Sequence, residues 1–246
     1  MKALIFAAGL GTRLRPLTDH KPKALVSVGG QPMLQRVIIR LKEAGFDDIT
    51  VNVHHFGQQI IDFLHANDNF GVRIHISDER DELLDTGGGI LKARPFLDGN
   101  EPFLVHNADI LSDIDLAALY RHHVEGDAQA TLLVSRRQTS RYLLLDETYR
   151  LCGWTNKNTG EVRPAGFIPD ASYQEYAFGG IHIISPSLFR YMEEGQWSGK
   201  FSIIPFYLSI CQKAKIQGYP LSGFQWFDIG KPETLAEAEK WFEDLK

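Results

Sequence analysis

A cationic segment near the start of the chain is the first candidate for chemistry. Residues 7–25 read AAGLGTRLRPLTDHKPKAL and carry four arginines and lysines against a single acid, Asp19. Gly9 and Gly11 let backbone N–H groups approach an anion, and the planar guanidinium of Arg13 suits phosphate oxygens. Lys23 could add a point charge on the same phosphates. We therefore predict a phosphate-binding loop, with a merely solvated turn as the alternative.

The spacing within this loop disfavours two common nucleotide motifs. A dinucleotide fingerprint, G-x-G-x-x-G, needs a third glycine where this chain has Leu14. A Walker loop, G-x-x-x-x-G-K-[ST], is absent from the sequence. A dinucleotide-dependent oxidoreductase is therefore disfavoured.

Two aspartates follow apolar runs that are typical of strands. Asp109 ends the run FLVHNAD, and Asp228 lies in WFDIGKPE. Ligands of open α/β sheets bind at the carboxyl ends of the strands, and Mg²⁺ is typically held by one or two carboxylates together with substrate phosphates. A metal site is therefore one interpretation of the two aspartates, and a helix cap or turn is the other.

The segment 7–25 resembles the signature of the sugar-1-phosphate nucleotidyltransferases, which join a nucleoside triphosphate to a sugar 1-phosphate and release pyrophosphate. The resemblance implies that Arg13, Lys23 and Asp109 are catalytic and that Asp109 and Asp228 bind Mg²⁺. It implies no covalent enzyme intermediate, because the phosphate of the sugar is the nucleophile. The nucleotide-binding residues that it implies are Ala7, Ala8, Gly9, Gly11, Thr12, Arg13, Lys23, Thr86, Gly87, Gly88 and Asn107.

Three successive glycines suggest which base is bound. Gly87, Gly88 and Gly89 open a short predicted helix, where they could lie against a planar base or simply be tolerated. The string TGGGI is similar to that of bacterial N-acetylmuramate-1-phosphate uridylyltransferases, which favours UTP and N-acetylmuramate 1-phosphate. Guanylyl transfer to mannose or heptose 1-phosphate is the alternative within the family. A non-catalytic, nucleotide-sugar-binding regulatory subunit is the alternative of another class.

The sugar site is expected on the second half of the chain. Gly179 and Gly180 interrupt an apolar strand, which suggests the close approach of a ligand or of another backbone. The family often places a lysine in an F-K-x-x-P segment; here that slot holds Ser202, so Lys200 is the substitute candidate. Asn156 is a further candidate, although a turn asparagine is an equal interpretation.

The order of predicted elements indicates an α/β fold. Apolar runs alternate with helical periodicities up to residue 135, which predicts a Rossmann-like, three-layer α/β/α architecture with a mostly parallel, mixed central sheet. The resemblance implies a GT-A-like nucleotidyltransferase fold. We expect one domain over 1–246, with a nucleotide-binding half at 1–135 and a sugar-binding half at 136–246. A hairpin is predicted around residues 146–149, and helices over 202–214 and 232–245.

Composition limits the class of partner and the setting. The net charge of −5 argues against a nucleic-acid partner, and no apolar run approaches the length of a membrane span. Two distant cysteines, Cys152 and Cys211, make no disulfide framework, so a cytoplasmic setting is expected. The expected partners are small molecules, and the expected assembly is a monomer or a simple homodimer.

Overall fold

The fold comes from a computed structural model that describes residues 1–244. The strands are β1 Lys2–Phe6, β2 Ser27–Val28, β3 Gln31–Pro32, β4 Asp48–Val53, β5 Arg73–Asp78, β6 Phe103–Asn107, β7 Ile110–Ser112, β8 Ala130–Ser135, β9 Arg141–Leu145, β10 Leu151–Asn156, β11 Glu161–Arg163, β12 Gln174–Ile184, β13 Ile216–Pro220 and β14 Trp226–Asp228. The helices are α1 Met33–Glu43, α2 Gly57–Ala66, α3 Asp85–Leu97, α4 Leu116–Glu125, α5 Leu188–Glu194, α6 Ile203–Ile210 and α7 Pro232–Asp244.

A ten-stranded mixed sheet joins both halves of the chain. Strands β6, β1, β4 and β5 lie side by side and run parallel. The long strand β12 runs antiparallel to β6, β8 and β9, and β13 is parallel to β8. The carboxyl ends of β1 and β6 therefore lie side by side, where the predicted phosphate loop and Asp109 follow.

Both faces of the sheet are covered. Along β1, Ala3 and Ile5 belong to one apolar cluster while Leu4 belongs to the other, and all three are fully buried. Because successive side chains of a strand point to opposite faces, this alternation requires a helical layer on each side. The predicted three-layer architecture is confirmed.

The sequence-based element predictions differ from the structure at several places. Strand β13 and helix α5 were not predicted, and the helix expected over 202–214 ends at Ile210. The hairpin around residues 146–149 is present between β9 and β10. The last residue of the predicted C-terminal helix, Leu245, lies outside the described residues. None of the helices within residues 1–244 has the length and apolar character needed to cross a bilayer.

Two irregular features of the chain position the candidate site. Strand β14 pairs antiparallel with β7, which sets Asp228 opposite Ile110 and hence beside Asp109. In β12 the register shifts between Phe178 and His182, where Gly180 has a φ of 72°. The resulting bulge changes the direction of β12 next to the carboxyl end of β6.

Candidate active site

The phosphate loop is held in a defined shape. Gly11 has a φ of 66°, and a Cβ atom there would lie 3.0 Å from Cγ2 of Thr18. The Thr18 hydroxyl donates a 2.8 Å hydrogen bond to the carbonyl oxygen of Gly11. A short 3₁₀ turn over Thr12–Leu14 follows. Glycine is therefore required at position 11 by both conformation and space.

One side of the same loop is open. A Cβ atom on Gly9 would meet no heavy atom within 4 Å. Among residues 1–244, the backbone N–H groups of Gly9 and Leu10 have no hydrogen-bond partner. These two amides are thus available to an anion.

The amides of Ala7 and Ala8 are already hydrogen-bonded within the protein, which the sequence analysis did not predict. Both donate to Oδ1 of Asn52, at 2.6 and 3.1 Å. Nδ2 of Asn52 donates in turn to Oε1 of the fully buried Glu79, at 2.8 Å, and Oε2 of Glu79 accepts from the amide of Leu84 at 3.1 Å. The network ties the phosphate loop to the segment before α3. Asn52 is a polar residue inside the apolar strand DITVNV, and this was the feature of the sequence that could have indicated the network.

Three of the predicted site residues converge. The Lys23 ammonium forms an ion pair with Oδ2 of Asp109 and lies 3.9 Å from Oδ1 of Asp228. The backbone joins the two aspartates as well, since the amide of Ile229 donates to the carbonyl oxygen of Asp109 at 2.8 Å. Arg13 also reaches the cluster, because a Cβ atom on Gly230 would lie 2.6 Å from its Nη2.

The carboxylate of Asp228 is unequally solvated. Its side chain is 42% exposed, yet Oδ1 is buried and has no hydrogen-bond partner within residues 1–244. Burial, together with the charge of Asp109, raises the pKa of Asp228, while Lys23, Arg13 and Arg137 oppose that rise. An orphaned anionic oxygen of this kind requires a cation.

The donor set suits a hard divalent cation. Asp109 and Asp228 present carboxylate oxygens toward one point, now approached by the Lys23 ammonium. No group of three or more His, Cys, Asp or Glu side chains with metal-binding geometry occurs in residues 1–244. Two carboxylates match Mg²⁺, which commonly takes its remaining ligands from water and substrate phosphates.

A cleft of about 390 Å³ opens beside this cluster. Its lining includes Gly9, Thr86, Asn107, Asp109 and Lys200. With Ala8, which also lines it, the cleft therefore unites five predicted nucleotide or catalytic residues with the lysine predicted for the sugar site.

The glycines before this cleft have a packing role. Gly87 and Gly88 are buried, and their amides donate to the carbonyl oxygen of Phe201 at 2.8 and 3.1 Å. A Cβ atom on Gly87 would collide with the Phe201 ring, and one on Gly88 with the carbonyl oxygen of Gly199. In this structure residues 199–201 cover both glycines, so a direct contact with the base remains a prediction.

The predicted sugar-site residues divide into two groups. Gly179 and Gly180 lie at the cluster: the carbonyl oxygen of Gly179 accepts from the Trp226 indole at 2.9 Å, and a Cβ atom on Gly180 would approach Nδ2 of Asn107 to 2.9 Å. Asn156 instead closes its own turn, accepting from the amide of Asn158 at 3.0 Å. Asn156 lines neither the 390 Å³ cleft nor the neighbouring 500 Å³ cleft around Arg13 and Asp228.

Sequence reasoning also missed Arg137. Its guanidinium lies 4.2 Å from the ring centroid of Trp226, and Nη2 donates to the carbonyl oxygen of Phe178 at 3.0 Å. Burial lowers the pKa of Arg137, and the charge of Asp228 opposes this. The signal was the unusual pair RR directly after an apolar strand.

Comparison with known proteins identifies the family. The family model described as Nucleotidyl transferase matches residues 2–244. The chain is a member of the nucleotidyl transferase family. It is 34% identical over 246 residues to the N-acetylmuramate alpha-1-phosphate uridylyltransferase of Neisseria meningitidis serogroup B, covering 97% of each chain. It is 31% identical over 239 residues to the mannose-1-phosphate guanyltransferase of Aspergillus fumigatus, covering 96% of this chain and 62% of that one.

The fold of this nucleotidyl transferase matches solved structures. The crystal structure of UDP-glucose pyrophosphorylase complexed with UDP-glucose aligns with a TM-score of 0.78 at 20% identity, covering 100% of this chain and 99% of that one. The predicted resemblance is therefore confirmed at the level of the family, and the enzyme is a sugar-1-phosphate nucleotidyltransferase. Its clustered cations and carboxylates suit reactions between two phosphate-bearing substrates.

Proposed function

We propose that this enzyme transfers the uridylyl group of UTP to N-acetylmuramate 1-phosphate, giving UDP-N-acetylmuramate and pyrophosphate. The observation that carries the proposal is the convergence of Lys23, Asp109 and Asp228 beside the open phosphate loop. The choice of substrates is supported by the Neisseria meningitidis relative, an N-acetylmuramate alpha-1-phosphate uridylyltransferase that matches nearly end to end.

The proposed reaction is a direct displacement. A phosphate oxygen of the sugar 1-phosphate forms a bond to the α-phosphorus of UTP, and the bond from that phosphorus to the bridging oxygen breaks, so pyrophosphate leaves. Arg13, Lys23 and the free amides of Gly9 and Leu10 stabilise the negative charge that would otherwise repel the sugar phosphate. Asp109 and Asp228 would hold Mg²⁺, which neutralises phosphate charge when it is bound.

The remaining assignments follow the family resemblance, and Thr86, Asn107 and Lys200 also line the 390 Å³ cleft. We assign Gly11, Thr12, Thr86 and Asn107 to nucleotide binding, with Ala7, Ala8, Gly87 and Gly88 shaping the backbone around them. Gly179 and Gly180 are assigned to the sugar side. Lys200 lines the same cleft as Asp109, so we assign it to the phosphate of the sugar 1-phosphate.

Pyrophosphate release tests the proposal. Purified enzyme with Mg²⁺ is combined with each of the four ribonucleoside triphosphates and with N-acetylmuramate, N-acetylglucosamine or mannose 1-phosphate. UTP with N-acetylmuramate 1-phosphate is expected to give the highest kcat/KM. The highest value with GTP and mannose 1-phosphate would support the guanylyltransferase alternative, for which the Aspergillus fumigatus relative is the precedent.

Two aspartate variants test the site itself. Asp109→Ala and Asp228→Ala are each expected to lower kcat by about a hundredfold or more, because each removes a carboxylate that would hold the Mg²⁺. Asp62→Ala, on the exposed face of α2, is the matched control and should retain full activity. Near-normal turnover by either aspartate variant would refute the assignment of these carboxylates. Binding of a nucleotide sugar by the wild-type protein without pyrophosphate release would indicate a regulatory subunit.

A further inference from the structure

Two consecutive arginines border the active-site cluster without an acidic partner. Among residues 1–244, neither Arg136 nor Arg137 has a carboxylate oxygen within 4 Å. Nε of Arg137 is buried and unpartnered. Because a buried charge is costly unless it is paired, the environment of Arg137 indicates that an anionic ligand completes it, and the exposed Arg136 lies directly beside it.

Arg136 has donors to spare. Nη2 donates to Oε1 of Gln174 at 2.8 Å, and Nε donates to the hydroxyl of Tyr176 at 3.4 Å. A guanidinium carries five N–H groups, so three remain for another acceptor. The two existing bonds hold the plane of the guanidinium, which suits a carboxylate that accepts two parallel hydrogen bonds.

Both arginines line a cleft of about 650 Å³ whose walls are aromatic. Tyr149, Tyr176 and Trp226 provide the walls, and residues 220–225 complete the rim. Trp226 and Arg137 also line the neighbouring cleft that contains Asp228, so the two clefts adjoin. Aromatic faces with charged donors at the edge suit an acidic carbohydrate, and the shared residues Arg137 and Trp226 set this cleft beside Asp228.

We propose that this cleft selects a sugar 1-phosphate that carries a second acidic group, a carboxylate, and that Arg136 is the residue that reads it. Arg137, on the side of Asp228, faces the phosphate end of the same substrate. The inference rests on the proposed function and adds to it the reason why the enzyme would discriminate between acidic and neutral sugar 1-phosphates. A neutral hexose 1-phosphate supplies one anion where the cleft offers two cations.

A pair of substrates that differ only in the carboxylate tests the inference. N-Acetylmuramate 1-phosphate is N-acetylglucosamine 1-phosphate with a lactyl ether, and kcat/KM for each is measured with UTP. The wild-type enzyme is expected to prefer the acidic sugar by about tenfold or more. Arg136→Gln should bring the ratio close to one by raising KM for the acidic sugar alone, and Arg136→Lys should restore part of the preference.

The controls separate a reader of the carboxylate from a structural residue. Arg121→Gln, on the exposed surface of α4, should leave both sugars unaffected. An equal loss for both sugars in Arg136→Gln would overturn the inference while leaving the proposed function intact. Equal use of the two sugars by the wild type would overturn both the inference and the choice of N-acetylmuramate 1-phosphate as the substrate. A lack of pyrophosphate release with every substrate pair would overturn the proposed function, and the inference with it.

Discussion

Removal of the Asn52 side chain tests how the phosphate loop is held. Asn52 is 2% exposed and accepts from the amides of Ala7 and Ala8 while donating to Glu79. Asn52→Ala would leave two buried N–H groups and one carboxylate oxygen without a partner. The variant should therefore affect stability and nucleotide binding together.

The magnitude follows from the number of orphaned groups. Each buried polar group that loses its partner costs about 1–3 kcal/mol. With three such groups, and with partial relaxation, we expect the free energy of unfolding to fall by about 3 kcal/mol. Oε2 of Glu79 keeps its bond to the amide of Leu84, which limits the loss.

Equilibrium denaturation in urea and steady-state kinetics measure the two effects. Asn158→Ala, at an exposed turn position, is the matched control. KM for the nucleotide should rise more than KM for the sugar phosphate, because the displaced loop contacts only the former. If the stability of Asn52→Ala lies within about 0.5 kcal/mol of the control and KM is unchanged, the proposed role of the network is wrong.

Two further predictions concern the carboxylate pair and the glycines. The raised pKa of Asp228 means that the folded state holds this proton more tightly than the unfolded chain does, so the contribution of Asp228 to stability declines as pH rises above about 4. In metal-free buffer, Asp228→Asn should therefore gain stability over wild type through that range; a constant difference at every pH would contradict it. Gly88→Ala should lose about 1–3 kcal/mol against the Gly199 carbonyl, whereas Gly9→Ala should retain its melting temperature and raise only KM for the nucleotide.

The parts of the site that sequence reasoning anticipated follow from local rules. Apolar runs predict parallel strands, and their carboxyl ends meet at one edge of the sheet, which placed the loop at residues 7–25 and Asp109 near each other. Asp228 required more, because β14 reaches the cluster only through its antiparallel pairing with β7. The resemblance to a family predicted that Asp228 joins Asp109, which hydrophobic periodicity alone could not.

Other features depend on tertiary contacts that no local pattern contains. The burial of Gly87 and Gly88 is decided by residues 199–201, more than a hundred positions later. Residues 215–220, which include β13, read KIQGYP. The glycine and proline disfavour a strand prediction, and the strand forms because it pairs in parallel with β8. Asn156 shows the reverse case, since the turn that its sequence favours is present, while its predicted ligand role stays a prediction.

The last helix serves the active site without lining the nucleotide cleft. Ala238 is fully buried and packs with Leu111 and Ile229, the neighbours of the two aspartates. The hydroxyl of Thr234 donates to the carbonyl oxygen of Asp228 at 2.6 Å. The charge of Asp228 is partly buried and is repelled by Asp109, so this residue does not stabilise β14. The stability of β14 must come instead from the packing of α7. The position of the second carboxylate therefore depends on apolar contacts made ten residues further along the chain.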